Sequence, residues 1–544
     1  MKLNKKIKIV LIIIPIVLLF GFAYSKKDIY FEIAQNIELF GKIYKDVTFH
    51  YVEPIDPSDF MKAAIQGMLS SLDPYTIYMD NSKKNELDLI TFGKYGGIGI
   101  TVGVRGEKII ITEILDGYSA QRQGLRVGDI LFEVSGTMLN SGNLDNLSRL
   151  VKGEPGTQLE LKVLRNDDKD TMDFKLIREE IKVKNIAYAG FYPDNSNNVY
   201  IKLTTFSRTA GDELRKALKE LRDKKEIKSV ILDLRNNPGG LLEVAVDVCE
   251  KFIEPNKLIV TTKGRDNNEA KYFSKSAPMA RDARLVVLVN EGSASASEIV
   301  AGAIQDHDRG VIVGTNSFGK GLVQTITNLT QDASLKITTA RYYTPSGRCI
   351  QKMDYSLIKN NKKDTSKFYT DNHRSVSAAG GVKPDSTVSF EPEGNITKLL
   401  LAEGFIFNFS NHFFSKNSDQ SYYSFKNDFI FSEFENFLGQ QKFDYHSDAE
   451  KQIESLIKEV KGKDLSNEIT PDLQKLKTQL QKLSKKETRI FKSEIIDEIR
   501  AELVLRYLGQ DERIKDQLKY DKQFKVALNI INNNNLYNKF LRAN

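Results

Sequence analysis

Apolar residues recur along this chain with two different periods, and the places where the period changes mark its organisation. Between 28 and 80 the spacing is helical. Ile33, Ile37, Phe40, Tyr44 and Val47 form one set and Phe60, Ala64, Met68 and Leu69 a second, separated by Pro54 and Pro57 and stopped by Leu72-Asp73-Pro74-Tyr75. From 85 to about 167 the pattern shortens into β-rich runs bounded by glycine, at Gly99–Val104, Lys108–Ile114, Asp129–Val134 and Gln158–Leu164, with one amphipathic helix expected over Leu144–Val151. From 176 to 345 strands and helices alternate. Asn198–Leu203, Ser229–Leu234 and Arg284–Val289 read as strands, and Gly211–Leu221, Leu241–Phe252 and Ser297–Gln305 as helices. Such alternation predicts a layered α/β domain. Residues 352–375 are polar and read as a surface loop. Beyond about 396 the chain is charged and helical, with periodic segments at Ala449–Val460, Pro471–Leu483 and Lys492–Leu508.

The first 27 residues differ from the rest. Lys2, Lys5, Lys6 and Lys8 precede an apolar run from Ile9 to Ala23, and Lys26 and Lys27 follow it. A run of about 15 residues is short for a membrane span of roughly 20 and has the length of an export-signal core. Ala23-Tyr24-Ser25 offers small residues for cleavage. The bulky Tyr24 and the lysines behind it favour an uncleaved signal-anchor over a cleaved signal peptide. Either reading places the body of the protein outside the cytoplasm.

Charge and cysteine content narrow the function. The 544 residues carry 79 basic and 72 acidic side chains, a formal charge of +7 without a dense basic stripe, so no nucleic-acid partner is expected. Cys249 and Cys349 are the only cysteines and there are five histidines, with no CxxC or Cys/His cluster. That spacing gives no metal site, and no cofactor is expected.

Three segments carry candidate chemistry. Asn290-Glu291-Gly292-Ser293-Ala294-Ser295-Ala296-Ser297-Glu298-Ile299 joins an apolar strand to a helix. A hydroxyl on such a turn lies beside free N–H groups and the positive end of the helix, which would stabilise an oxyanion. Ser295 and Glu298 also fit a capping box, which needs no catalysis. In Ser317-Phe318-Gly319-Lys320-Gly321-Leu322-Val323-Gln324, glycines flank Lys320, and Gln324 lies four residues on, on the same face. A lysine whose burial lowers its pKa can act as a general base, and a glutamine can orient its amine. Asp233-Leu234-Arg235-Asn236-Asn237-Pro238-Gly239-Gly240 follows a buried strand, and its Gly-Gly turn can aim an N–H at a reacting oxygen.

Together these segments resemble the carboxy-terminal processing (tail-specific) serine proteases, whose chemistry rests on a Ser–Lys dyad. The resemblance places the nucleophile on Ser295, the base on Lys320, 25 residues later, and the supporting amide on Gln324. It places the oxyanion hole at the N–H of Ala296 together with that of Gly239 or Gly240. Tyr342-Tyr343-Thr344-Pro345-Ser346-Gly347-Arg348 and Gly380-Gly381-Val382-Lys383-Pro384-Asp385 are similar to later family segments. Tyr95-Gly96-Gly97-Ile98-Gly99-Ile100 resembles the carboxylate-binding loop of a PDZ domain, and Gly124-Leu125-Arg126-Val127-Gly128-Asp129-Ile130-Leu131 its turn-and-strand signature. In that loop Gly96, Gly97, Ile98, Gly99 and Ile100 would bind a peptide tail, with glycine N–H groups on its carboxylate and Ile98 and Ile100 lining an apolar pocket.

The fold implied is α/β and multidomain: a signal-anchor or signal peptide at 1–27, a helical N-terminal region at 28–84, a PDZ domain at 85–170, a crotonase-like layered Ser–Lys protease core at 171–395 and a helical extension at 396–544. The extension resembles that of longer members from Bacteroidetes-type bacteria. The implied function is a serine endopeptidase acting on proteins with apolar C-termini, on the periplasmic side of the inner membrane, or in the periplasm if the signal is cleaved. An adaptor protein or a second copy of the chain is a candidate partner for the extension. Three rival readings are a Ser–His pair using His307, a non-catalytic PDZ scaffold at the cell envelope, and acyl-CoA chemistry on the crotonase-like core that relatives share, which the PDZ segment and the export segment disfavour.

Overall fold

The computed structural model describes residues 29–80, 92–105, 107–139, 144–165, 170–265, 268–330, 333–353, 355, 366–378, 380–389, 394–461 and 466–542. The expected export signal or anchor at 1–27 lies outside the described residues. Among the described residues no helix is long and apolar enough to cross a membrane.

The chain forms two compact units. The smaller contains the helices Ile29–His50 and Pro57–Ser70. Asp56 caps the second helix by accepting the Asp59 N–H at 2.9 Å, with Pro57 in its first turn, where a missing N–H costs nothing. Tyr44 stacks on Phe40 and Phe60 (6.3 and 5.6 Å between centroids) and donates to the Pro57 carbonyl at 2.7 Å. The apolar spacing of the first helix buries none of its residues.

In the larger unit the glycine-rich stretch folds as an antiparallel sheet of Ile100–Arg105, Lys108–Ile114, Ile130–Val134, Gln158–Arg165 and Asp170–Ile177, with Thr137–Met138 on its margin. Alternate residues such as Ile109, Ile111, Leu161 and Val163 face a core closed by Leu147 of the helix Leu144–Val151. The buried Asp129 accepts the Arg126 N–H at 2.8 Å and both Nε and Nη2 of Arg165 at 2.6 and 2.7 Å, which shapes the turn of the Gly-Asp signature. The strand Lys94–Gly97 lies outside this sheet. It pairs with Glu179–Lys182, the stretch through which the chain leaves the module for the α/β core.

That core is built on a six-stranded sheet of β1 (Ile186–Phe191), β2 (Asn198–Leu203), β3 (Ser229–Asp233), β4 (Arg284–Val289), β5 (Val311–Gly314) and β6 (Ser386–Thr387), in that spatial order. β1 is antiparallel to β2; the remaining neighbours are parallel. β3 and β5 are buried at every position, as continuous apolar runs require when both faces are covered. One face, with Val230, Leu232, Val287 and Ile312, packs against helices α1 (Ala210–Lys224), α2 (Leu242–Glu250) and α3 (Ala296–Asp306). A second, antiparallel sheet sets Leu258–Gly264 between Glu269–Phe273 and Ala333–Tyr343, and Leu322–Asn328 pairs with the last of these.

The other face of the six-stranded sheet, with Tyr200, Ile231, Val286, Leu288 and Val313, is covered by the end of the chain: α4 (Gln510–Leu518), α5 (Lys522–Asn532) and α6 (Asn534–Phe540). Phe524, Ala527, Ile531 and Tyr537 supply this layer, and the Tyr537 hydroxyl accepts the Leu285 N–H at 3.0 Å. Preceding helices bury Phe409, Phe413, Phe434, Ile495 and Leu503 in a core of their own. The helix read as beginning at Pro471 begins at Ser466, with Pro471 inside it.

Candidate active site

β3 and β4 are adjacent and parallel, with Asp233 opposite Leu288, so the two loops that leave them emerge together at the carboxyl edge of the sheet. Five hydrogen bonds join these loops. Asn290 Oδ1 accepts the Asn236 N–H and its Nδ2 donates to Asn236 Oδ1, both at 2.9 Å. Ser293 Oγ donates to the Leu234 carbonyl at 2.8 Å, and the Ala294 N–H and Ser297 Oγ both donate to the Asn237 carbonyl, at 3.0 and 2.9 Å. Ser295 follows at the start of α3 with φ 56° and ψ −112°, a conformation that L side chains rarely adopt. It is half-buried, while Ala296, the first residue of α3, is buried.

Glu298 joins this turn to the lysine loop. Its side chain is fully buried, and its carboxylate accepts four hydrogen bonds. Oε2 takes the N–H groups of Ser295 and Lys320, each at 2.9 Å; Oε1 takes Ser317 Oγ at 2.5 Å and the Gly319 N–H at 2.7 Å. Two backbone nitrogens 2.9 Å from one oxygen cannot be farther apart than twice that distance, so the main chains at Ser295 and Lys320 are neighbours. Burial pushes the Glu298 carboxyl up to about 7, against the pull of its four donors. Tyr342, also buried, makes a second link: its hydroxyl donates toward the Ser295 carbonyl at 3.2 Å and toward the Lys320 carbonyl. Gln324 sits on the strand that begins at Leu322, and its Nε2 donates to Thr338 Oγ1 at 3.3 Å.

The Gly-Gly turn lies against the same residues. Gly239 has φ 98°, and a Cβ there would fall 2.6 Å from the Ala294 carbonyl oxygen and 2.9 Å from both Ala296 N and Ser295 Cβ. Its N–H donates to Asn237 Oδ1 at 2.9 Å. Gly240 forms a bridge with Phe206, and a Cβ on it would lie 2.3 Å from the Phe206 carbonyl oxygen. Among the described residues neither the Gly240 N–H nor that of Ala296 has a hydrogen-bond partner. Gly239→Ala is therefore expected to displace Ser295 or the turn and to cut any turnover that depends on Ser295 at least about a hundredfold, measured by steady-state kinetics with the fold checked by circular dichroism.

The later family segments hold the far end of α3. The fully buried Arg348 donates to Asp306 Oδ1 and Gln305 Oε1, both at 2.8 Å, and Asp385 accepts from Gln305 Nε2 and the Ile312 N–H, both at 2.8 Å. Ser317, which donates to Glu298, accepts the Val382 N–H at 2.6 Å. His307 is also at that far end, where Nδ1 bonds Asp371 Oδ2 at 3.0 Å and Nε2 the Leu258 carbonyl at 2.7 Å. A helix of 11 residues, about 16 Å, separates it from Ser295, so no Ser–His pair is assembled.

In the PDZ module, Tyr95, Ile98, Gly99, Ile100, Val102, Leu147, Val151 and Lys152 line a groove of about 110 Å³. Ile98 contributes to its floor and is otherwise in the module's core, 1% exposed. Gly96 and Gly97 belong to the strand paired with Glu179–Lys182. A Cβ at Gly96 would lie 1.8 Å from the Gly153 carbonyl oxygen, so Gly96 is required by packing. Ile98 and Gly99 follow that strand, and among the described residues their N–H groups donate to no hydrogen bond. The linking roles of Glu298 and Tyr342 were missed from sequence. Glu298 satisfied a capping rule, and Tyr342 sat in a family-like segment with no chemistry of its own to single it out.

Several stretches of the chain match known protein families. Residues 197–357 match peptidase family S41, 110–165 a PDZ domain, 23–83 the N-terminal domain of the activating protease CtpB, and 396–531 the C-terminal helical domain of a probable PDZ-protease. The chain is 38% identical over 321 residues to a carboxy-terminal-processing protease of Bartonella bacilliformis, covering 58% of this chain and 73% of that one. It is 32% identical over 317 residues to the carboxy-terminal processing protease CtpB of Bacillus subtilis, covering 57% of this chain and 65% of that one. A solved photosystem II D1 C-terminal processing protease matches at 27% identity with a TM-score of 0.37, over 63% of this chain and 85% of that chain. With a relative 38% identical over 73% of its length and a match to peptidase family S41, the chain belongs to the carboxy-terminal processing proteases, serine peptidases of that family.

Proposed function

We propose that this protein cleaves proteins whose apolar C-terminal tails lodge in the PDZ groove, using Ser295 as nucleophile and Lys320 as general base. The observation that carries the reading is the shared carboxylate: one oxygen of Glu298 takes the backbone N–H of both residues and so holds the lysine loop beside the serine turn. Neutral Lys320 takes the Ser295 proton, Oγ attacks the scissile carbonyl, and the tetrahedral oxyanion forms beside the N–H of Ala296. The second donor is assigned to Gly240, because the Gly239 N–H is engaged by Asn237. Lys320 returns the proton to the leaving amine, and water then hydrolyses the acyl-enzyme. Gln324, with its amide nitrogen on Thr338, offers Oε1 to orient the lysine amine. No step calls on a metal or a cofactor.

The groove suits a small aliphatic terminal side chain, and the N–H groups of Ile98 and Gly99 would meet its carboxylate. Holding the tail raises the local concentration of the rest of the substrate at the serine. The site of action is the periplasmic side of the inner membrane, to which residues 1–27 would anchor the chain.

The test compares one unfolded model substrate ending in alanine or valine with the same chain amidated at its C-terminus or ending in aspartate. Blocking or charging the tail is expected to lower kcat/KM by about tenfold or more. Equal cleavage of all three forms would overturn tail recognition while leaving the peptidase chemistry standing.

A further inference from the structure

The chain's last helices reach the oxyanion turn through one arginine. Arg235 directly precedes Asn236, Asn237, Pro238 and Gly239. Its Nε and Nη2 grip the buried Asp233 carboxylate, at 2.9 Å to Oδ1 and 2.6 Å to Oδ2, and its own N–H donates to Oδ1 at 2.9 Å. A second carboxylate then closes on the same guanidinium: Asp521 Oδ2 lies 2.6 Å from Nη2. Gln523 Oε1 accepts from Nη1 at 3.1 Å, while Gln523 Nε2 donates to the Val388 carbonyl at 2.8 Å. The Tyr200 hydroxyl donates to Asp233 at 2.7 Å, and Phe524 packs edge-on against that ring at 5.4 Å. Asp521 and Gln523 stand at the start of α5, where Asp521 Oδ1 also caps the helix by accepting the Phe524 N–H at 2.9 Å.

Side-chain exposure is 11% for Arg235, 1% for Asp233 and 17% for Asp521, so this is a mostly desolvated network in which an unbalanced charge is costly. Burial works against the Arg235 charge, but Asp233 and Asp521 outweigh it and hold its pKa above the ordinary value. Without the Asp521 charge, only Asp233 and the neutral Gln523 amide would hold the guanidinium, and the turn that follows would lose its outer ionic restraint.

We propose that Asp521 is a positioning residue of the protease: through Arg235 it fixes the turn from Asn236 to Gly240 against Ser295. The helical extension is then part of the catalytic scaffold, and α5 and α6 do more than cover a sheet face. The proposal rests on the Ser295–Lys320 reading, because the turn matters to turnover only if it serves that serine.

Full-length Asp521→Asn is the test, since asparagine keeps an oxygen to cap the helix while an uncharged NH2 replaces the oxygen that faces Arg235, which abolishes that contact. Turnover of a tail-bearing peptide is expected to fall about tenfold in kcat, with KM within about twofold, as for a small displacement of a catalytic group. Asp521→Glu should recover part of the loss. Tyr537→Phe weakens the same helical layer at the opposite end of β4 and serves as the control, with a lower melting midpoint and unchanged kcat. Wild-type kcat in Asp521→Asn, or equal kcat losses in Asp521→Asn and Tyr537→Phe at matched loss of melting midpoint, would overturn the proposal. Ser295→Ala run alongside separates the two layers. If it is inactive while Asp521→Asn is normal, the positioning role fails alone; if it still turns over, the dyad reading fails with it.

Discussion

Ser295→Ala and Lys320→Ala are each expected to lower cleavage of a tail-bearing substrate by roughly 10⁴-fold or more, to the level that binding and the oxyanion donors alone sustain. The double variant should be hardly worse than either single one, because a nucleophile without its base and a base without its nucleophile fail at the same step. Both side chains are half-buried at the edge of the sheet and fill no core position, so melting midpoints should change little. A fluorophosphonate probe should label the wild type and fail on Ser295→Ala, with slow labelling of Lys320→Ala. Normal turnover by either variant would remove that residue from the chemistry.

Glu298→Ala is expected to come close to the same loss for a different reason. It leaves three backbone N–H groups and the Ser317 hydroxyl without their acceptor, at about 1–3 kcal/mol for each buried group, and it unties the serine turn from the lysine loop. Glu298→Gln should fall between alanine and wild type. Its oxygen can still accept from Ser295 and Lys320 while its nitrogen donates to Ser317 Oγ, so the Gly319 N–H is opposed and the Ser317 hydroxyl loses its acceptor. The pH dependence has a definite sign. The carboxyl lies at about 7 in the folded protein against an ordinary 4.5, so the proton is bound more tightly when folded. The stability this group contributes is complete below 4.5 and is lost as pH rises through about 7, amounting to about 3 kcal/mol. Urea unfolding of wild type and Glu298→Gln at pH 5 and pH 8 should show the wild type losing stability relative to the variant at the higher pH. Parallel changes in the two proteins would assign the titration to another group.

Much of the fold was legible because its signals are local. Asn198–Leu203, Arg284–Val289, Leu144–Val151 and Lys492–Leu508 were placed residue for residue, since unbroken apolar runs and helical spacing are properties of a short window. The hairpin Leu322–Asn328 and Ala333–Tyr343 was not, because its strands carry polar and half-exposed residues whose pairing is a long-range property. Pro471 misplaced a helix start because proline usually marks the first turn. Ser295, Lys320 and the Gly239-Gly240 turn could be nominated, because serine turns, glycine-flanked lysines and glycine pairs are visible as residue types.

By itself, then, the sequence determined which residues are available for chemistry, the order of the modules and the alternation that builds a parallel sheet. Only the tertiary structure decided which of those residues meet. It put the ends of β3 and β4 side by side, gave Glu298 four donors from two distant loops, and tied up the Gly239 N–H while the Gly240 N–H has no partner among the described residues. It also laid α4, α5 and α6 on the sheet and closed Asp521 on Arg235. The physical reason is one of range. Propensity and periodicity act over a few residues, whereas desolvation and hydrogen bonding inside the fold act between segments that only the folded chain brings within 3 Å.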